Sequence, residues 1–185
     1  IKSAEGNERR FMQEYPEDDI SCFLGAENSR FDANRLLDML AEAKKRPVLR
    51  SEQNGRVRIW KDADPKRRYA IAVDAAEGLP QGDFQAAVIG DVDTMEHVAT
   101  IHCKIPLEAF STLCLELGKR YNSAVLAVED EGHGKVVLNI ARAQGYPNIY
   151  RRRQNLAVGK WATAPYGWHT DRATRPLMIA DLDMY

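Results

Sequence analysis

"YAIAVDAAEGLPQGDFQAAVIGD", residues 69–91, is the stretch on which the reading of this chain turns. Its first six residues are apolar enough for a central strand, yet the run stops on Asp74, and Glu77 and Asp83 follow among glycines. "FQAAVIGD" then reads as a second strand and "EHVATIHCKI" (96–105) as a third, joined through Asp91-Val92-Asp93-Thr94. Three successive strands with short links predict an antiparallel meander.

Downstream the period changes. "PLEAFSTLCLELGKR" (106–120) opens on Pro106, spaces Leu107, Phe110, Leu113, Cys114 and Leu117 at helical intervals, and has Gly118 near its end. "SAVLAVED" (123–130) returns to strand and again ends on acids, here Glu129 and Asp130. A second helix, "GKVVLNIARAQG" (134–145), closes on Gly145; "NIYRRR" (148–153) reads as a further strand and "TRPLMIADLDM" (174–184) as a last helix. This order predicts an α/β fold: a mixed sheet flanked by helices, in which the strand after the first helix returns parallel to the first strand.

Parallel neighbours place Asp74 and Glu129 together at the carboxyl edge of the sheet, where open α/β sheets build their sites. Two carboxylates held close repel, and one takes up a proton unless a cation sits between them. Oxygen ligands suit Mg²⁺ or Mn²⁺, hard ions that share their coordination with phosphate oxygens. Two such ions about 4 Å apart activate an attacking water and stabilise the leaving oxygen in phosphodiester hydrolysis. Taken singly, each acid also reads as a turn or helix cap.

Upstream, "FDANRLLDMLAEAKKRP" (31–47) reads as a helix capped by Asp32 and stopped by Pro47. "SEQNGRVRIWKDADPKRR" (51–68) reads as a polar hairpin around Asn54-Gly55, so the compact domain is expected to begin near residue 68. Cys22, Cys103 and Cys114 form no CxxC pair and read as reduced packing residues. No apolar run approaches the roughly 18 residues of a membrane span, and the start lacks the pattern of a signal peptide. The net charge of −1 hides an asymmetry: residues 135–175 hold eight Lys/Arg against one Asp, a local +7 suited to a polyanion. Consecutive Arg151, Arg152 and Arg153 are the candidates for phosphate contact, with Lys160 in the loop beyond. His133 and Lys135 follow the second acidic strand and could approach a phosphate, whereas His97, His102 and His169 read as structural. Trp168 reads as a packing anchor and Thr170 as a cap.

The ordered set of "YAIAVDAAEGLPQGDFQAAVIGD", "LGKRYNSAVLAVEDEGHGKVVLNIARAQGYPNIYRR" and "YGWHTDRATRPLMIADL" resembles the nuclease domain of the large terminase subunit of tailed bacteriophages. The upstream "RRFMQEYPEDDISCFLGAENSRFDANRL" is similar to the segment that in that family leads from the ATPase core into the nuclease. The resemblance implies an RNase H-like endonuclease that cuts concatemeric double-stranded DNA during genome packaging, in the host cytoplasm, with two divalent metals and with the portal protein and small terminase subunit as partners. It implies residues 1–67 as a helical and hairpin link from an absent ATPase domain, and residues 68–185 as the nuclease domain. Position by position, Asp74 and Glu129 match the metal ligands; Asp83 and Glu77 match further acids of the first motif, with Asp130, His133 and Lys135 accessory. The family's third metal-binding carboxylate belongs to a helix beyond the Gly-Trp-x-Thr segment, so Asp181 and Asp183 lie too early to match it and the chain is expected to be truncated. No Gly-x-x-x-x-Gly-Lys-[Ser/Thr] phosphate loop is present. Two other readings stay open: a DNA-holding module without catalysis, and an RNase H-like nuclease acting on junctions or RNA–DNA hybrids.

Overall fold

A computed structural model of the chain describes residues 32–152 and 165–182. They fall into two units, one within residues 1–47 and one within residues 48–184. Of the first, the described part is helix α1 (Ala33–Lys45). Asp32 caps it, its carboxylate accepting the Arg35 N–H at 2.7 Å, and Lys44 and Lys45 sit at the end where the helix dipole favours cations.

The second unit is built on a six-stranded mixed sheet: β1 (Arg50–Glu52), β2 (Val57–Ile59), β3 (Tyr69–Asp74), β4 (Gln85–Asp91), β5 (His97–Cys103) and β6 (Val125–Val128), in the spatial order β1-β2-β5-β4-β3-β6. The meander β3-β4-β5 is antiparallel, as its short connections require. Helix α2 (Leu107–Arg120) carries the chain back across the sheet, so β6 pairs with β3 in parallel. The hairpin expected before residue 68 belongs to this sheet: β2 pairs antiparallel with β5, so the compact unit takes in the hairpin and starts before residue 68.

Alternation along the strands sorts the two faces of the sheet. Tyr69, Ile71 and Val73 of β3, Ala87 and Ile89 of β4, and Leu126 and Val128 of β6 are buried. They form one core with Phe110, Cys114 and Leu115 of α2 and with Val137, Leu138 and Ala141 of α3 (Gly134–Ala143). The opposite residues, Ala72, Asp74, Val88, Val125 and Glu129, are exposed, so both long helices lie on a single face.

Beyond β6 the expected strand at 148–153 takes the form of bridges instead of a ladder. Ile149 bridges Leu126 in parallel, and Tyr150 donates to the Leu126 carbonyl at 2.9 Å. Trp168 then bridges Glu129 in parallel. The two segments meet at Arg151 and Tyr166, and the Arg152 N–H donates to the Pro165 carbonyl at 3.0 Å. Helix α4 (Thr174–Leu182) follows. The Asp171 carboxylate accepts the Thr174 and Ala173 N–H groups at its start, which holds that carboxyl below its ordinary range. The capping role expected of Thr170 therefore falls to Asp171.

Candidate functional site

The β3–β6 ladder sets the site. Ala72 pairs with Ala127 and Val73 with Val128, so the next step of the register puts Asp74 beside Glu129. Because side chains alternate, both carboxylates emerge on the face without the long helices, on strands about 4.8 Å apart. Both are exposed, and among the described residues neither has a cationic partner. They line one cleft of about 490 Å³. Its floor is small, Ala72, Ala86 and Ala127; its walls are Val88, Tyr150, Trp168, Thr170 and Met178.

Three close approaches fix this geometry. Gly134 begins α3 hard against the strand end, where a Cβ would lie 2.0 Å from the Glu129 carbonyl oxygen. Gly78, at φ +79°, brings the acidic loop against Ile105, where a Cβ would lie 1.9 Å from the Ile105 carbonyl oxygen. Gln85, fully buried, ties that loop to the sheet: its amide donates to the Ala76 carbonyl at 2.9 Å and accepts the Ile105 N–H at 3.3 Å. The sequence signal for Gln85 was available, since it is a polar residue at an inward position of β4.

The remaining expected site residues are dispersed. Glu77 and Asp83 are exposed on the loop and do not line the cleft. Asp130 is turned away from it: its carboxylate meets His169 Nδ1 at 2.8 Å and the Arg152 guanidinium at 3.8 Å. His169, read as structural, thus has a definite partner, and the pair fastens the 165–170 segment to the end of β6, where the Asp130 N–H donates to the Trp168 carbonyl at 2.7 Å. The Trp168 indole Nε1 is buried and, among the described residues, has no hydrogen-bond partner. His133 and Lys135 are exposed at the start of α3. Arg151 donates to the Tyr166 hydroxyl and lies 4.0 Å over its ring, with Arg142 5.1 Å from the same ring. These two arginines border a polar recess of about 610 Å³. Arg153, Lys160, Asp183 and Cys22 lie outside the described residues. Asp181 is exposed on α4, one turn beyond Met178, and among the described residues no three acidic, histidine or cysteine side chains come together as a metal cage. Within the same residues no helix is long and apolar enough to cross a membrane.

The donor chemistry fits a hard divalent cation at Asp74 and Glu129. Carboxylate oxygens are the ligands such ions take, and the exposed edge leaves room for the water they keep.

No family profile and no curated protein matches the sequence. Solved structures do. The large terminase nuclease from thermophilic phage G20c, solved with bound magnesium and with bound cobalt, is similar at a TM-score of 0.52 and 17% identity, over 74% of this chain and 63% of that one. The Thermus phage P74-26 large terminase nuclease domain is similar at a TM-score of 0.44 and 18% identity, over 61% of this chain and 54% of that one. This chain therefore spans less than two thirds of the length of those structures. The mixed sheet flanked by helices is an α/β, RNase H-like fold, similar to that of the phage G20c large terminase nuclease.

Proposed function

We propose that this chain is the nuclease part of a phage large terminase subunit, a metal-dependent endonuclease that cleaves concatemeric double-stranded viral DNA during packaging. One observation carries the reading: Asp74 and Glu129 stand exposed at the ends of neighbouring parallel strands, on one cleft and, among the described residues, without a cationic partner. They would hold the divalent ions, magnesium or manganese. When bound, such ions supply an activated water and neutralise charge on the phosphate under attack.

The chain's own residues do the rest. Trp168, Val88 and Met178 wall the cleft with apolar surface, which strengthens electrostatic interactions inside it. Alanines at its floor leave room for a phosphate against the sheet. Asp83 and Glu77 act as accessory acids from the loop fastened by Gln85. Asp130 positions the wall through His169, while His133 and Lys135 face the phosphate from the start of α3. Arg151, Arg152, Arg153 and Lys160 supply backbone contacts to DNA. In the assembled motor the portal protein and the small terminase subunit are its partners, in the host cytoplasm.

A second reading has one observation in its favour. With no third acid grouped with Asp74 and Glu129 among the described residues, the chain could hold DNA without cutting it. Plasmid cleavage in Mn²⁺ separates the two. The nuclease reading expects cutting by the wild-type chain and its loss in Asp74→Ala and Glu129→Ala, each folded as judged by circular dichroism. Cutting by either variant at the wild-type rate would remove the site assignment.

A further inference from the structure

The face that bears Asp74 and Glu129 continues across β4, β5 and β2, and its chemistry changes sign on the way. Asp74 pairs with Ala86 and Ala86 with His102, so one line across three strands leads from the acid to an exposed imidazole. Phe84 stacks on His102 with ring centroids 4.3 Å apart, and Lys104 Nζ lies 4.4 Å from the Phe84 ring while donating to the Pro80 carbonyl at 3.1 Å. On β2, exposed Arg58 pairs with Thr100, itself opposite Val88 on the same face. Glu52 and Asp62 are engaged with Arg50 and Arg120, and Glu96 with Lys61. Among the described residues neither Arg58 nor Lys104 has a carboxylate partner. Phe84 is 52% exposed and Val88 43% exposed, so among the described residues this is an accessible aromatic and cationic strip on the face opposite α2 and α3, continuous with the acidic cleft.

We propose that this strip binds the phosphodiester backbone of the duplex whose scissile phosphate lies at Asp74 and Glu129, a reading that rests on the nuclease assignment. Strands about 4.8 Å apart put β5 about 10 Å and β2 about 14 Å from β3. That range brackets the roughly 12 Å width of the DNA major groove, so cations there meet phosphates across a groove from the one at the acids. Arg58 and Lys104 supply the charge, His102 and Phe84 a flat surface for sugar edges. Negative charge in the partner is what the strip lacks, and a duplex supplies it at regular spacing.

The test is fluorescence anisotropy of the whole chain with a labelled duplex, in Ca²⁺ in place of Mn²⁺, across a salt series. Arg58→Ala with Lys104→Ala should weaken binding about tenfold and reduce the slope of log K against log salt by about two, near 0.9 for each phosphate no longer neutralised. At saturating DNA in Mn²⁺ the cutting rate should stay at the wild-type value while KM rises. Should the alanine pair unfold, glutamine at both positions keeps much of each side-chain stem and removes the charge. Wild-type affinity and slope in a folded double variant would overturn the strip and leave the nuclease reading standing. Conversely, a wild-type chain that never cuts, yet shows the reduced slope in the double variant, keeps the strip as a DNA-holding face and removes the nuclease reading.

Discussion

Replacing Gly134 by alanine tests whether the site depends on the contact between helix α3 and the end of β6. The added Cβ would meet the Glu129 carbonyl oxygen at 2.0 Å, the Glu129 carbonyl carbon at 3.1 Å and a Val128 methyl at 3.2 Å. The first of these is backbone, so no rotamer change relieves it, and helix and strand end must separate by about 1 Å to reach tolerable contact. Overpacking of this kind costs about 1 to 3 kcal/mol, offset by up to about 1 kcal/mol gained by alanine over glycine in a helix. A net loss of up to about 3 kcal/mol lowers Tm by up to roughly 12 °C for a chain of this size. Function should suffer more, because a displacement of about 1 Å at a group that positions a reacting centre costs on the order of 100-fold in rate. Thermal unfolding and Mn²⁺-dependent plasmid cleavage measure the two effects together. Gly132→Ala is the control: nothing lies within 4 Å of its Cβ, and its φ of +47° alone imposes a cost of about 1 kcal/mol. If Gly134→Ala lost no more activity than Gly132→Ala, Glu129 would not be held by this contact.

Gln85→Leu keeps the volume of the side chain but leaves the Ala76 carbonyl and the Ile105 N–H unpaired in the interior, at about 2 to 4 kcal/mol for the two. Thermal unfolding should show Tm lower by roughly 4 to 16 °C, and an unchanged Tm would mean the loop is not fastened there. Burial pushes the Cys114 thiol well above its ordinary range and raises that of Cys103 less, so neither should react with a thiol reagent at pH 8 until the chain is unfolded. Rapid native labelling of either would contradict the packing. Burial likewise pushes the Tyr121 and Tyr146 hydroxyls up to about 12, each donating at 2.7 Å to a backbone carbonyl. Because the folded values lie above the unfolded value near 10, this contribution to stability is complete below pH 10 and is lost as pH rises toward 12. Denaturation midpoints measured from pH 8 to 11.5 should fall above pH 10, and a flat profile would refute the assignment.

The meander, the return of β6 beside β3 and the place of Asp74 and Glu129 at the ends of those two strands were all legible, because each follows from local periodicity and the rule that a parallel return needs a crossover. Other features depended on contacts between distant parts of the chain. The hairpin at 50–59 carries Arg50, Ser51, Glu52, Arg56 and Arg58, too polar and short to announce that β2 completes the sheet against β5. Alternation puts His102 on the same face as Ala86, but that neither α2 nor α3 covers this face depends on both packing on the other. In the sequence Asp130 reads as an accessory to its neighbour Glu129, whereas its orientation is set by His169, thirty-nine residues later. Met178 and Trp168 reach the cleft only through the final pairing along β6, which no local pattern encodes.

The bond from Arg152 to Pro165 has a consequence for how such a protein can vary. The Arg152 N–H bonds the Pro165 carbonyl and the segments ending at Arg152 and starting at Pro165 both bridge β6, so any excursion between those two positions has joined ends. Doubling the length of such an excursion costs only about 0.6 kcal/mol in closure entropy. Changes of length between those two positions therefore cost the carboxylates at the ends of β3 and β6 little, and a lineage could vary that stretch while the chemistry at the sheet edge stays constant.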